Sequence, residues 1–126
     1  MTAAEIPTEL TGVTTCRILT RGRVSGATHA VTVWFAPLGS EIYVAVRNGL
    51  NSDWLKNAQA QPEVEVGRRN RSWPAHVAVV TDPTEARDAV EMFAEKYANY
   101  PSIIDTWRAH PPVFVRLSLD GRHLSS

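Results

Sequence analysis

The sequence predicts a mainly β fold, a β-barrel with helices on its flank. The chain has 126 residues, enough for a single domain with a core of its own. Six short segments are β-branched or alternate between apolar and polar residues, and turn signals separate most of them. Strands and helices do not alternate regularly, which argues against a Rossmann-type fold. We therefore expect about six antiparallel strands and two to three helices.

The first three strands follow one another without a helix between them. "VTTCRILT" (13–20) is rich in β-branched residues and "THAVTVWF" (28–35) alternates. "EIYVAVR" (41–47) follows a Pro-Leu-Gly-Ser turn signal. Short turns between strands join antiparallel neighbours, so these segments predict a three-stranded meander.

A short helix and a hairpin come next. In "NSDWLKNAQAQP", Ser52 suits the N-cap, Asp53 suits the positive amino-terminal end of a helix, and Pro62 ends it. "EVEVG" and "SWPAHVAVVT" flank "RRN", which predicts a β-hairpin.

The carboxy-terminal third predicts two helices and a last strand. "DPTEARDAVEMFAEKYANY" begins with Asp82 as N-cap, Pro83 at the first helical position and Glu85 at the third, close to a capping box. Its apolar residues recur at helical spacing, so one face should be buried. "SIIDTWRAH" predicts a second helix that ends before Pro111, and "VFVRLSLD" predicts the sixth strand.

Composition excludes several classes of protein. Thirteen Lys and Arg residues balance thirteen Asp and Glu residues, so the chain lacks the basic excess typical of nucleic-acid binding. No apolar run approaches the roughly 18 residues of a membrane-spanning helix, and the first residues do not resemble a signal peptide. We expect a cytoplasmic protein with one domain over residues 1–126, of which 1–12 form an amino-terminal extension.

The chain lacks the usual signatures of catalysis by side chains or metals. A single cysteine, Cys16, excludes an internal disulfide framework and a multi-cysteine zinc site, and it should be a buried strand residue. The four histidines, at positions 29, 76, 110 and 123, lack the close spacing of zinc ligands. There is no G-x-S-x-G nucleophile motif and no complete P-loop. We therefore predict no catalytic nucleophile and no bound metal.

The turn "RGRVSG" concentrates charge and glycine. Gly22 and Gly26 permit backbone angles that bring amide groups close to an anion, Arg21 and Arg23 offer forked donors, and Ser25 adds a hydroxyl. Together these groups suit a phosphodiester. An ordinary hairpin turn with exposed arginines explains the same residues, so the turn alone leaves both interpretations open.

Four segments carry a resemblance to a known family. "TRGRVSG", "VTVWF", "RNGLNSDWLKNAQAQPEVEV" and "KYANYPS" together resemble the deazaflavin-dependent nitroreductases of the flavin/deazaflavin oxidoreductase superfamily, over residues 13–119. The resemblance implies a split β-barrel of the FMN-binding, PNPOx-like type. It also implies hydride transfer from reduced coenzyme F-420 to a small conjugated acceptor, such as a quinone, an enone or a nitro compound. The cofactor then carries the hydride chemistry, and no catalytic side chain is implied.

The resemblance assigns roles position by position. It implies that Gly22, Arg23, Ser25 and Gly26 bind the phosphate, that Thr32 and Val33 present backbone groups to the ring, and that Trp54 and Asn57 lie near the cofactor. The implied substrate region contains Tyr97, Tyr100 and Trp107. Core packing is the favoured interpretation of Tyr97, and Tyr100 is the better candidate for a substrate contact.

The sequence also departs from the family pattern. Val24 stands where a Lys or Arg is common, His29 where an Arg is common, and Thr32 where a Pro is frequent. Arg21 and a protonated His29 could replace the missing phosphate contacts. The alternatives are a non-catalytic split barrel that binds a fatty acid, haem or a tetrapyrrole, and a relative that binds FMN. A homodimer is the alternative to a monomer.

Overall fold

The structure, a computed structural model, describes residues 10, 12–22, 24–38, 41–46 and 49–119. Six strands, three α-helices and a short 3-10 turn (Gly49–Asn51) lie in these ranges. In chain order they are β1 (Thr15–Arg21), β2 (Thr28–Leu38), β3 (Glu41–Val46), α1 (Asp53–Ala60), β4 (Glu63–Arg68), β5 (Arg71–Val79), α2 (Pro83–Lys96), α3 (Pro101–Ala109) and β6 (Val113–Ser118).

The strands form a closed antiparallel barrel in the order β1-β2-β3-β6-β5-β4. β1 pairs with β2 on one side and with β4 on the other, which closes the sheet. The predicted fold class, a six-stranded barrel with flanking helices, is therefore confirmed. Closure leaves the sheet without a free edge around its full circumference, although individual strands extend beyond their partners.

The core has two parts because β3 is buried on both faces. Ile42, Val44 and Val46 point into the barrel, where they pack with Ile18, Val66 and other apolar side chains. Tyr43, which lies between them in the strand, faces outward into a second cluster. α2 and α3 supply most of that cluster and cover this side of the barrel. Leu10, from the predicted amino-terminal extension, is also buried in the barrel core.

The helix starts differ from the sequence prediction in two details. The Asp82 side chain accepts a hydrogen bond from the Thr84 amide, as expected for an N-cap, but the Glu85 carboxylate bonds to Tyr43 and Arg116. Ser52 occupies the N-cap of α1, as predicted, although its side chain makes no capping hydrogen bond. The 3-10 turn leads directly into it, because the Ser52 amide donates to the Gly49 carbonyl and the Ser52 carbonyl accepts from the Lys56 amide.

β2 is longer than predicted and changes partners along its length. It pairs with β1 over residues 28–34 and with β3 over residues 35–38. The predicted end at Phe35 is three residues too early, since Pro37 lies within the strand opposite Ile42. β1 no longer pairs with β2 at Pro37, so the missing amide proton breaks no bond to β1. Residues 28–34 therefore expose one backbone edge that β3 does not cover.

Candidate functional site

A cleft of about 1020 Å³ lies along the uncovered edge of β2. Residues 31–34 of β2 form one wall, and α1, the end of β3 and the side chains of Ile103 and Trp107 form the others. Along an edge strand, alternate residues direct their amide and carbonyl groups away from the paired neighbour. Thr32 and Val33 line the cleft, and by this alternation one of the two directs its amide and carbonyl groups into it.

The β1–β2 turn forms the polar end of the cleft. Arg21 pairs with Thr28, so the hairpin brings both ends of the turn together. A Cβ atom added at Gly22 would lie 2.9 Å from both the Ser25 Oγ and the His29 Nε2. The two side chains therefore converge over the bare backbone of Gly22, and all three residues line the cleft. The structure thus brings together three of the residues that the sequence assigns to phosphate binding.

The amides of this turn are mostly engaged inside it. The Gly22 amide donates to the Ala27 carbonyl over 2.7 Å, and the Gly26 amide donates to the Gly22 carbonyl over 2.9 Å. The Ala27 amide donates to the Ser25 Oγ over 3.1 Å. The turn therefore uses these three amides to close itself, and the roles of Gly22 and Gly26 at the phosphate stay predictions. Gly26 has φ of +76°, which explains the glycine by conformation alone.

The remaining polar groups of the turn are side chains. Ser25 accepts a hydrogen bond but retains its hydroxyl proton for a ligand. His29 is exposed at the mouth of the cleft, and the guanidinium of Arg21 lies 3.4 Å from the Gly26 carbonyl. Arg21 and Gly26 belong to the turn without lining the cleft, and Arg23 lies outside the described residues.

α1 supplies the wall opposite β2. Trp54 and Asn57 are three residues apart, so they share one face of the helix, and both line the cleft. Leu55 and Ala58 lie on the adjoining face and anchor α1 in the barrel core. Asn57 is only 6% exposed, so its amide is fixed within the wall rather than free in solvent.

Trp34 is a cleft residue that the sequence analysis did not select. Its ring stacks on Tyr97 with centroids 4.3 Å apart and planes 4° from parallel. The Tyr97 ring also stacks on Phe93, so a buried aromatic layer supports Trp34 from behind. The sequence does contain a signal for it: Trp34 lies two residues after Thr32 in β2, and residues at this spacing in a strand lie on the same face.

The three residues of the predicted substrate region lie in three different environments. Tyr97 is buried, and its hydroxyl contacts the Thr14 and Phe35 carbonyls and the Phe35 amide, in agreement with core packing as its favoured interpretation. Burial also raises the pKa of Tyr97 to about 12, which keeps the hydroxyl protonated. Tyr100 is half exposed and its ring lies 5.0 Å from Trp34, outside the cleft lining. Trp107 lines the cleft.

The described residues offer binding groups rather than nucleophiles. Cys16 is buried in the core, and burial raises the pKa of its thiol to about 12, so a thiolate does not form near neutral pH. Within the described ranges, no group of three or more His, Cys, Asp or Glu side chains is arranged to hold a metal ion. The lining combines the rings of Trp34 and Trp54 with the polar groups of Ser25 and His29, which suits a flat ring that carries an anionic group.

Comparison with known proteins gives a family for the chain. Residues 9–114 match the model of a family described as "Uncharacterized protein conserved in bacteria (DUF2255)". No curated protein sequence matches the chain significantly.

Several solved structures share the fold. An F420-H2-dependent reductase, FDR-A, is 17% identical, with a TM-score of 0.64 over 82% of this chain and 93% of its own. HutZ, the haem storage protein of Vibrio cholerae, is 14% identical, with a TM-score of 0.65 over 84% and 81%. An FAD-binding protein of Mesorhizobium loti is 16% identical, with a TM-score of 0.59 over 87% and 82%. These similarities confirm the predicted split β-barrel.

No helix in the described ranges combines the length and the apolar character needed to cross a bilayer.

Proposed function

We propose that this chain, which belongs to the DUF2255 family, binds coenzyme F-420 in the cleft and serves as a reductase of small conjugated acceptors. The observation that carries the proposal is the composition of the cleft. A polar end built from Gly22, Ser25 and His29 adjoins walls that contain Trp34 and Trp54. Its volume of about 1020 Å³ is at the upper end of small-molecule and cofactor sites.

The residues present fit a phosphorylated flavin-like coenzyme. Ser25 and His29 would bind the phosphate through the hydroxyl proton and the imidazole, aided by the positive side chain of Arg21. The absence of a Cβ atom at Gly22 leaves these groups room to converge. The edge of β2 at Thr32 and Val33 would bind the polar rim of the ring, and the apolar walls would exclude water from its face.

When bound, the reduced coenzyme supplies a hydride to an electron-poor acceptor. The protein's contribution is to hold the acceptor and exclude solvent. Trp34 is suited to the first task, because the Tyr97 ring fixes its orientation from behind. Ile103 and Trp107 from α3 would cover the acceptor from the other side. Stacking on this aromatic surface would suit the conjugated acceptors that the resemblance implies, such as quinones, enones and nitro compounds.

Fluorescence titration of the purified chain with oxidised coenzyme F-420 tests the proposal, with FMN and haemin as parallel ligands. Saturable binding of the deazaflavin, followed by acceptor-dependent oxidation of its reduced form, is the expected result. Preferential binding of FMN would replace the cofactor in the proposal. Failure of both flavin-type ligands to bind would refute it.

Matched variants locate the site. We expect Ser25→Ala and His29→Gln each to weaken coenzyme binding about tenfold, because each removes a charge-assisted or hydroxyl contact. His76→Gln is the control, since His76 is an exposed histidine that lies outside the cleft and pairs with Glu63. Equal effects of His29→Gln and His76→Gln would exclude a specific role for His29.

Val24 permits a gain-of-function test. It lines the cleft mouth, and 94% of its surface is exposed, so a lysine fits without displacing other atoms. We expect Val24→Lys to tighten coenzyme binding by restoring a cation near the phosphate. Unchanged affinity would mean that the phosphate lies elsewhere.

A non-catalytic ligand-binding protein is the second candidate. The engagement of the Gly22, Gly26 and Ala27 amides within the turn supports it, because it leaves fewer groups for a phosphate. The ligand would then be haem, a tetrapyrrole or a fatty acid held by the apolar walls. Haemin binding without flavin-type binding in the titration would favour this candidate.

A further inference from the structure

A second, smaller cavity of about 220 Å³ lies where β1, β2 and β4 meet. Three arginines, Arg17, Arg68 and Arg69, contribute to its lining. Thr15 and Thr32 line both this cavity and the large cleft, so the two spaces adjoin. The small cavity has room for a single anionic group but not for a coenzyme, since one water takes about 30 Å³ of liquid volume.

A glycine makes room for the first of these arginines. Arg17 lies opposite Thr32 in β2 and opposite Gly67 in β4. A Cβ atom at Gly67 would lie 3.0 Å from Cδ1 of Leu19, 3.2 Å from Nη2 of Arg17 and 3.4 Å from its Nε. The guanidinium group therefore rests against the backbone of β4, in space that a larger residue would occupy.

The hairpin between β4 and β5 holds the same guanidinium group. Nη2 of Arg17 donates a hydrogen bond to the Arg69 carbonyl over 2.5 Å. Arg69 has φ of 57°, a left-handed conformation that residues other than glycine adopt only at a cost. The hairpin tip thus keeps a strained backbone at the point where it contacts Arg17.

The arginines of this cavity retain unused donors. The Nε atoms of Arg17 and Arg68 are buried and have no hydrogen-bond partner within the described part of the chain. No Asp or Glu of the described ranges forms an ion pair with Arg17, Arg68 or Arg69. Buried donors without acceptors are unfavourable. An oxyanion would supply acceptors and negative charge together.

We propose that this cavity, which Arg17, Arg68 and Arg69 line, binds a carboxylate or phosphate group. Because it adjoins the cleft, the site accepts a second anionic group of the ligand bound there. This second part rests on the proposed coenzyme function, whereas the anion site itself does not. The ligand class is then a planar coenzyme or substrate with two separated anionic groups.

NMR titration of the ¹⁵N-labelled full chain tests the anion site directly, with inorganic phosphate in one series and glutarate in another. The amides of Thr15 and Gly67 should shift together and saturate at millimolar anion, with a midpoint different from that of the Gly26 amide in the turn. Saturation with phosphate alone or glutarate alone identifies the preferred group, and saturation with both indicates a general oxyanion site. Linear, unsaturated shifts with both would overturn the proposal.

Three variants separate a specific site from general electrostatics. Arg17→Gln removes one guanidinium group and should lower the anion affinity at least tenfold. Gly67→Ala keeps the charge and crowds the group together with Leu19, so it should lower the affinity by less than Arg17→Gln does. Arg71→Gln is the control, because Arg71 lies over the Trp73 ring in the same hairpin and does not line the cavity. It should change the affinity less than twofold, and a loss equal to that of Arg17→Gln would contradict the proposal.

Coenzyme titrations of the same variants test the link to the cleft. We expect Arg17→Gln to weaken coenzyme F-420 binding at least fivefold while its melting temperature confirms folding. If the variant binds phosphate or glutarate more weakly but binds the coenzyme with unchanged affinity, the anion site is supported and its contact with the coenzyme is refuted. If the wild-type chain binds the small anions but no coenzyme, the proposed function fails and the anion site remains.

Discussion

The hydroxyl of Tyr97 should contribute a large part of the free energy of unfolding of this domain. It lies where β1 stops covering β2, since the last β1–β2 pair joins Thr15 and Trp34. The next residue, Phe35, directs its amide to the Tyr97 hydroxyl over 3.1 Å, and its carbonyl lies 2.9 Å from the same oxygen. The hydroxyl is also 2.6 Å from the Thr14 carbonyl. One side chain of the second core cluster therefore replaces the missing strand.

Tyr97→Phe removes these bonds and keeps the ring. The buried Phe35 amide loses its acceptor, which costs about 1 to 3 kcal/mol, and the loss of the donor to a carbonyl costs about 1 kcal/mol more. We expect the free energy of unfolding to fall by about 2 to 4 kcal/mol, out of the roughly 5 to 15 kcal/mol typical of a domain. The stack on Trp34 persists, so coenzyme affinity should stay within about threefold of the wild type.

Urea denaturation at pH 7, followed by tryptophan fluorescence and far-ultraviolet circular dichroism, measures the change. Tyr100→Phe is the matched control, because it removes the same atom from a half-exposed residue, and its effect should be below about 0.5 kcal/mol. A loss below about 0.5 kcal/mol for Tyr97→Phe, at an unchanged denaturant slope, would refute the role of this hydroxyl.

Three further predictions concern pH and the turn. The hydrogen bond from Tyr43, together with the charge of Arg116, lowers the pKa of Glu85 below its ordinary value of 4.5. The wild type should therefore be more stable than Glu85→Gln at neutral pH, and urea denaturation should show this advantage shrinking as the pH falls below about 4.5. Burial lowers the pKa of Lys96 from 10.5 to about 8, so between pH 8 and pH 10.5 the unfolded chain binds a proton that the folded chain does not. The wild type should therefore gain stability relative to Lys96→Met as the pH rises through this range. A constant difference in the free energy of unfolding would contradict this. Gly22→Ala should weaken coenzyme binding with little change in melting temperature, because the added Cβ atom meets only the movable ends of Ser25 and His29. Gly26→Ala should instead lower the melting temperature by several degrees, because Gly26 has φ of +76°.

Most secondary-structure elements were predictable from the sequence because their signals are local. Alternation of apolar residues within "THAVTVWF" identifies a strand without knowledge of its partners, and Asp82 with Pro83 marks a helix start by its own backbone chemistry. The predicted end of β2 was wrong, because the strand continues through Pro37. A neighbouring element changed the local preference there, since β1 does not cover Pro37.

The candidate site was only partly predictable from the sequence. The resemblance selected residues of the turn, β2 and α1, and the structure places Gly22, Ser25, His29, Trp54 and Asn57 around one cleft. The resemblance could not show that the amides of the turn donate hydrogen bonds within the turn, because these bonds depend on the closure of the hairpin. Whether the cleft binds the implied coenzyme stays a prediction.

The sequence alone determined the strands, the helices and the chemical class of groups available to a ligand, because propensity, capping and periodicity act between residues close in the chain. Only the tertiary structure decided which of these groups meet. Trp34 contacts Tyr97 across two elements, and Arg17 reaches Gly67 and Arg69 only because β4 closes the barrel against β1. Such contacts follow from the register and closure of strands distant in sequence, which many side chains determine jointly.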